Sequence, residues 1–489
     1  MEWHEKKLTY VYAGIMLVYI ITAINSYGYH HPDEHFQIIE FAGLKGGWNT
    51  GNDLAWEYDA QIRPILQPMI ALSLFNFSKL IGVESPFDLA MILRLLTAAF
   101  SLICITAFIQ SIRSSIKPEY LIVLIITSFL LWFLPAINIR FSSETWAGLT
   151  MLLSVALINR AETKKTIHFF IIGLLWGLTF EFRFQMAIIL CSVFLWLILI
   201  KKETWKNLAF ILSGLVLIIL ACTLLDSWFY GNWVFTPWNY FYTTIINSDP
   251  DQFGTSPWYF YIEQLFNRPT PLIGFILLFS IITLTIFKPK YITIWCIIPF
   301  IFIHSLIPHK ELRFLFPIVN FFPLIVVLAY QEVVKRIKNR TIIQVIVYSI
   351  ILPVNLFGLV MLSFRPASNG NINMLQHIYN KYDKVNLYTV AQSNPYTINK
   401  WVKGLTPRFY ANNNVTIKKF SESLDFSKFG DNDLVISYKF HQKDYFLKNE
   451  GFIVEKKSVP EWIKILDRFY KVYPAYDSFF VLYSKLKIE

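Results

Sequence analysis

The segment His30-His31-Pro32-Asp33-Glu34-His35-Phe36-Gln37 sets two carboxylates and three imidazoles side by side. A carboxylate can take the proton of an acceptor hydroxyl as general base. Adjacent acids titrate as a coupled pair, so the base is Asp33 or Glu34; we expect Asp33 to act and Glu34 to orient it or share its proton. The histidines suggest a divalent cation, although their spacing lacks a clear set of further ligands, and no other cofactor is indicated. The plain alternative for the stretch is a polar loop that ends a helix. Its position argues for more. The apolar run from Leu8 to Tyr27 directly precedes it and is close to the ~20 residues that cross a bilayer as helix. Ionisable groups are costly to hold at such a boundary and mark a site by default.

Other polar segments sit between apolar runs in the same way: Trp56-Glu57-Tyr58 with Arg63, Asn138 to Glu144 around Arg140, Glu181 to Gln185 around Arg183, Asp226 to Trp233, and His309-Lys310-Glu311-Leu312-Arg313-Phe314. Arg and Lys can stabilise a phosphate leaving group, and Arg can fork onto two oxygens. Trp and Tyr offer flat faces to sugar rings and suit the headgroup zone. Taken singly, Arg140 or Arg183 reads as a snorkelling or paired charge, the aromatic loop as an interfacial belt, Lys79 as solvated and His304 as hydrogen-bonded core. The convergence of six segments on one membrane face is what points to group transfer at the membrane–water boundary.

The chain that must position these residues has 489 residues, 55% hydrophobic and 16% charged, with mean hydropathy +0.45. That is far too apolar for a soluble enzyme and describes a polytopic membrane protein. The first run is too long and aromatic for a cleaved leader, and reads as a retained span. Cys104, Cys191, Cys222 and Cys296 all fall in apolar runs and read as small core hydrophobes. Basic clusters at Lys6-Lys7, Arg113/Lys117, Arg160/Lys164/Lys165, Lys201/Lys202/Lys206, Lys288/Lys290 and Lys335/Arg336/Lys338/Arg340 are placed inside. Residues 65–82, interrupted by Gln67, Pro68, Asn76 and Lys79, must then lie along the outer face as an amphipathic helix. About eleven spans result: 8–27, 87–110, 119–137, 145–159, 167–181, 186–200, 207–229, 271–287, 291–307, 314–331 and 341–363. Residues 1–364 form a transmembrane module whose first external loop is 28–86. Residues 365–489, with 19 Lys+Arg against 12 Asp+Glu, form a small extracytoplasmic α/β domain. Its strands are expected at Val385–Val390, Val415–Phe420, Leu434–Tyr438, Phe452–Val454 and Phe479–Tyr483, and an amphipathic helix at Glu461–Tyr470.

The same residues carry a family pattern. His31-Pro32-Asp33-Glu34-His35-Phe36-Gln37 resembles the N-terminal signature of glycosyltransferase family 22, nearest the GPI mannosyltransferase III branch. Trp56-Glu57-Tyr58…Arg63 is similar to that family's W-E-[YW]…R segment. Asp226-Ser227…Tyr230-Gly231, Gly254-Thr255-Ser256-Pro257-Trp258-Tyr259 and His309-Lys310-Glu311-Leu312-Arg313-Phe314 resemble its later blocks, with Phe253 where Tyr is common. The resemblance runs in the family's order from residue 31 to 317. It implies a GT-C fold, an inverting mechanism, an outward-facing site and a polyprenyl-phosphate sugar donor. The family's usual donor is dolichyl-phosphate-mannose. The Lys/Ile/Asn-rich composition points to a bacterial inner membrane and polyprenyl-phosphate-mannose, with the endoplasmic reticulum membrane as alternative.

The expected activity is therefore an integral-membrane mannosyltransferase with a glycan or glycolipid acceptor, membrane lipids as surroundings and no nucleic-acid partner. Asp33 and Glu34 are its catalytic acids. Arg63, His309, Lys310 and Arg313 are its donor-phosphate residues, supplying more positive charge than nearby acids demand. His31, Trp56, Glu57, Arg140, Arg183, Asp226, Tyr230 and Trp258 shape the sugar and acceptor pocket. The rivals are a lipid or lipid-linked sugar transporter and a non-catalytic scaffold with a basic tail for anionic lipids. Transporters tend to show internal repeats and charges near mid-membrane, whereas here no repeat is seen and the charges sit at one boundary.

Overall fold

The computed structural model describes residues 2–160, 165–247, 254–336, 345, 347–367, 370–390, 393–396, 405–438, 444–467 and 479–486. Lys164, Phe253, Lys338, Arg340, residues 341–344 and 346 of the last expected span and 468–470 of the expected tail helix lie outside them. The chain forms two compact units, residues 1–20, 57–67 and 94–362, and residues 21–56, 68–93 and 363–489.

Each expected span coincides with apolar helix: Glu2–Asn25, Pro86–Ile112, Pro118–Leu130 with Leu134–Asn138, Ser143–Asn159, Thr166–Phe182, Ala187–Leu199, Trp205–Tyr230, Pro271–Phe287, Ile292–Leu306, Leu312–Phe321 with Phe322–Val334, and Leu352–Phe364. Their lengths differ from expectation. Among the described residues, four helices are long and apolar enough to cross a membrane alone: Leu8–Asn25, Pro86–Ser115, Trp205–Tyr230 and Leu312–Val334. Pro271–Phe287 and Ile292–Leu306 qualify together but bend by 120° at their junction. The remaining apolar helices are shorter because turns cut the runs, as between Leu130 and Leu134, where Pro135 opens the next piece. Leu66–Leu80 forms the separate helix expected along residues 65–82.

In the first unit, small residues let helices approach to backbone distance, the packing mode of apolar bundles without a hydrophobic drive between them. A Cβ on Gly173 would stand 2.1 Å from the Ile211 carbonyl oxygen, and one on Gly214 2.4 Å from that of Phe170. The buried amides of Asn138 and Asn320 pair reciprocally at 2.9 Å, and the Thr179 hydroxyl donates to Thr150 at 2.8 Å. Cys104, Cys222 and Cys296 are buried as expected, but Cys191 is exposed on the outer side of its helix.

In the second unit, five strands appear close to where alternation placed them: β1 (Val385–Thr389), β2 (Val415–Lys419), β3 (Asp433–Tyr438), β4 (Phe452–Lys457) and β5 (Phe480–Lys485). Their order is β2-β1-β3-β5-β4, with β1 parallel to β2 and β3, and β5 antiparallel to β3 and β4. Val435, Phe452, Val481 and Tyr483 build the core on one face with Phe420, Phe426 and Leu447. The helix Asn371–Lys381 supplies His377 and Lys381, which with Tyr382 hold the Glu455 carboxylate of β4 at 2.7–2.8 Å. Gly28 sits at φ +79°, and a Cβ there would reach 2.8 Å from Ile372, so only glycine fits where the first loop meets this helix.

Candidate active site

The carboxylate motif folds as a five-residue helix, Pro32–Phe36, with proline at its first position. His31 caps it, its Nδ1 accepting from the Asp33 backbone N–H at 3.2 Å. Glu34 closes the turn from the other side, accepting from the His30 backbone N–H at 2.9 Å. Asp33 lies 3.5 Å from His31 Nδ1 and keeps 26% of its side chain accessible. The two acids are thus held in different ways: Glu34 stitches the turn, and Asp33 stands beside an imidazole with an open edge. His35 points inward, buried, with Nε2 2.6 Å from Glu40 Oε1. The three histidines therefore do not converge, and among the described residues no cluster of three His, Cys, Asp or Glu has metal-ligating geometry.

The first unit builds a charged network at the ends of several helices. Glu144, with its side chain 5% exposed, accepts through Oε1 from Arg183 Nη1 at 2.8 Å and from Arg313 Nη1 at 3.1 Å. Arg313 also forks onto Glu311, Nε to Oε2 at 2.6 Å and Nη2 to Oε1 at 3.0 Å. His309 Nε2 lies 3.1 Å from the same Glu311 Oε1. Both guanidinium groups stand over the Phe314 ring, at 5.0 Å for Arg183 and 5.4 Å for Arg313. Lys310 is held differently: its Nζ donates to the Ser256 carbonyl at 2.8 Å and lies 3.4 Å from that of Pro308. Ser256 in turn donates its backbone N–H to Pro308 at 3.0 Å, tying the Gly254–Tyr259 block to the His309–Phe314 block.

The fold reduces, without removing, the expected surplus of positive charge around Arg63, Lys310 and Arg313. Glu144 lies 169 residues from Arg313 and balances it only in the fold, and Arg63 Nη2 pairs with Glu57 at 3.2 Å. The excess that remains in the network is Arg183, Arg313 and Lys310 against Glu144 and Glu311. Among the described residues Lys310 meets carbonyl oxygens rather than a carboxylate, and burial pushes its ammonium below the ordinary lysine range. A desolvated cation cradled by dipoles is suited to an incoming anion.

Asp226 and Tyr230 hold the 57–67 segment. Asp226 is buried, Oδ1 accepting from the Ile65 backbone N–H at 2.8 Å and Oδ2 from the Thr236 hydroxyl at 2.5 Å. The Tyr230 hydroxyl donates to the Arg63 carbonyl at 3.0 Å. Their polar atoms thus position the loop bearing Glu57 and Arg63 rather than line an open pocket. Arg140 is buried, whereas Trp56 and Trp258 are exposed, as are Trp228, Trp233 and Trp238. Sequence reasoning passed over Glu40, Asn49 and Glu144 as partners, whereas the Arg313–Glu311 pair lies within one motif and is legible from it. Glu40 had a signal: an acid inside the run Ile38-Ile39-Glu40-Phe41-Ala42 must be paired if that run is buried.

A family model described as the Alg9-like mannosyltransferase family matches residues 10–407. Mannosyltransferase APTG1 of Arabidopsis thaliana is 25% identical over 61% of this chain and 54% of its own. The GPI alpha-1,2-mannosyltransferase 3 of Bos taurus is 23% identical over 59% of this chain and 53% of its own. The chain thus spans about half the length of these curated relatives. ArnT from Cupriavidus metallidurans, in its crystal structure with undecaprenyl phosphate, superimposes with a TM-score of 0.56 over 97% of this chain and 98% of that one, at 10% identity. That likeness shows the fold, the GT-C architecture of apolar helices followed by a small α/β domain.

Proposed function

Since the chain belongs to the Alg9-like mannosyltransferase family, we propose that it transfers mannose from a polyprenyl-phosphate-linked donor to a hydroxyl of a glycan or glycolipid acceptor. The reaction takes place on the outer face of a membrane, with residues 365–489 on that side. Asp33 accepts the acceptor's hydroxyl proton, the freed oxygen bonds to the anomeric carbon with inversion, and the carbon–oxygen bond to phosphate breaks with its electron pair on the leaving phosphate. Lys310 and Arg313, with His309, meet that growing negative charge, an interaction stronger in the transition state than in the ground state. Arg183 and Glu144 hold Arg313 in place. Arg63 and Glu57 form a second charged edge, held by Asp226 and Tyr230, and exposed Trp56 and Trp258 offer stacking faces to sugar.

The observation that carries this reading is the cradle of Lys310, a buried ammonium on the Ser256 and Pro308 carbonyls beside the forked Arg313. The transporter alternative is not favoured, because family and fold both point to glycosyl transfer. Purified protein in detergent, given polyprenyl-phosphate-mannose and a mannosylated acceptor, should release polyprenyl phosphate and form an α-mannoside. Binding of the donor without release would refute the proposal.

A further inference from the structure

We infer that His35 is a positioning residue for Asp33, and that the turn Arg408–Tyr410 of the C-terminal segment completes its setting. This rests on the role proposed above for Asp33. A helix of five residues does not hold itself in place, so the orientation of Pro32–Phe36 must come from what its inner side packs against. That side is His35. Its ring is stacked between Tyr29, at 5.1 Å and 23°, and Tyr410, at 5.2 Å and 15°. Tyr410 is stacked in turn on Phe87, at 5.2 Å and 27°. The column Tyr29–His35–Tyr410–Phe87 thus runs from the loop after the first span to the start of the next long helix, with a C-terminal residue as its third ring.

The polar edge is equally committed. Glu40 Oε1, 2.6 Å from His35 Nε2, also accepts from the Phe409 backbone N–H at 3.1 Å, and Oε2 accepts from Asn49 Nδ2 at 2.5 Å. Phe409 stacks on Phe75 at 5.1 Å, and Arg408 pairs with Asp53 at 2.9 Å. Three consecutive residues therefore reach three groups of the first loop: an ion pair, a buried carboxylate and a ring column. A buried carboxylate is tolerated only with its hydrogen bonds complete, so loss of the turn takes one of the bonds from Glu40 and one of the stacked rings from His35, and loosens the helix that carries Asp33.

The test uses the full chain in detergent and measures kcat and donor KM. Tyr410→Ala is expected to lower kcat about 100-fold, the cost of a roughly 1 Å misplacement of a reacting group, with donor KM unchanged. Tyr410→Phe, which keeps the stack, restores the rate. In an Asp33→Asn background Tyr410→Ala should cost nothing further, because it acts through Asp33. A folded Tyr410→Ala protein with wild-type kcat, or equal losses in both backgrounds, overturns the inference. Should Tyr410→Ala fail to fold, Arg408→Ala, at a half-exposed ion pair, carries the same comparison with a smaller loss. An Asp33→Asn enzyme of wild-type rate refutes the base assignment instead, whatever residue 410 does.

Discussion

Arg313 donates to two carboxylates and stands beside the Lys310 cradle, so its replacement separates catalysis from support. Arg313→Ala removes the Nε and Nη2 bonds to Glu311 and the Nη1 bond to Glu144. Charge-assisted bonds contribute ~1.5–3 kcal/mol each net, but the acids are not orphaned. Glu144 keeps Arg183, and Glu311, a quarter exposed, keeps His309 and gains water. A loss of about 2–4 kcal/mol in unfolding free energy is therefore expected, toward the lower end of what breaking a buried pair costs. On top of this we expect single-turnover chemistry to fall about 100- to 1,000-fold, the range for removing one preorganised donor to a developing anion, with a smaller rise in donor KM. Arg313→Lys should recover only part, because an ammonium does not fork onto two oxygens. Thermal unfolding in detergent and single-turnover rates on the same preparation decide the matter. A variant with a lowered melting temperature and wild-type chemistry per folded molecule would remove Arg313 from the site and leave it a brace between Glu144 and Glu311.

Asp33→Asn should lower kcat by about two to four orders of magnitude with donor affinity retained; activity that survives it but is lost in Glu34→Gln would exchange the two roles. Cysteines placed at exposed Asn52 and Ser421 should react with an impermeant thiol reagent from outside, and one at exposed Lys165 should not, once exposed Cys191 is replaced; labelling at 421 only after membrane disruption would refute the threading. Burial alone would raise the Glu455 carboxyl, but hydrogen bonds from His377, Lys381 and Tyr382 outweigh it and bring it down to about 2 from 4.5. Its folded value being the lower, its contribution is complete above pH 4.5 and lost as pH falls toward 2. Glu455→Gln should lower the melting temperature at pH 7 and flatten its decline over that window, and an unchanged acid limb would refute this account.

Residue type and periodicity were enough to find the carboxylate motif, the apolar helices and all five strands. Alternation ended β4 at Val454, whereas the strand runs on to Lys457 past an irregularity in pairing at Val454/Lys456; two lysines at a sheet edge hide a strand, since edge positions tolerate charge. What escaped were partners distant in sequence. Nothing local to Arg313 reveals Glu144, and nothing near His35 reveals Tyr410. Asp226 was read as a pocket residue because it lies in a polar block, yet its oxygens are spent on Ile65 and Thr236. Helix lengths were also misread, because hydropathy registers an apolar run without registering the turn that divides it.

The separation between Glu40 and the Phe409 N–H that it accepts is 369 residues, and Thr22 waits 341 residues for Ser363. Ribosomes add ~5–20 residues per second, so the first loop exists for roughly 20–75 s before its last ring is made. Throughout that interval the Glu40 carboxylate has only its own loop, His35 and Asn49 included, and the Pro32–Phe36 turn lacks the Tyr410 ring. A nascent chain of this protein thus carries its acids early and acquires their setting late. A message cut short after residue 400 would yield a product that retains the apolar helices and both carboxylates but lacks the means to aim them.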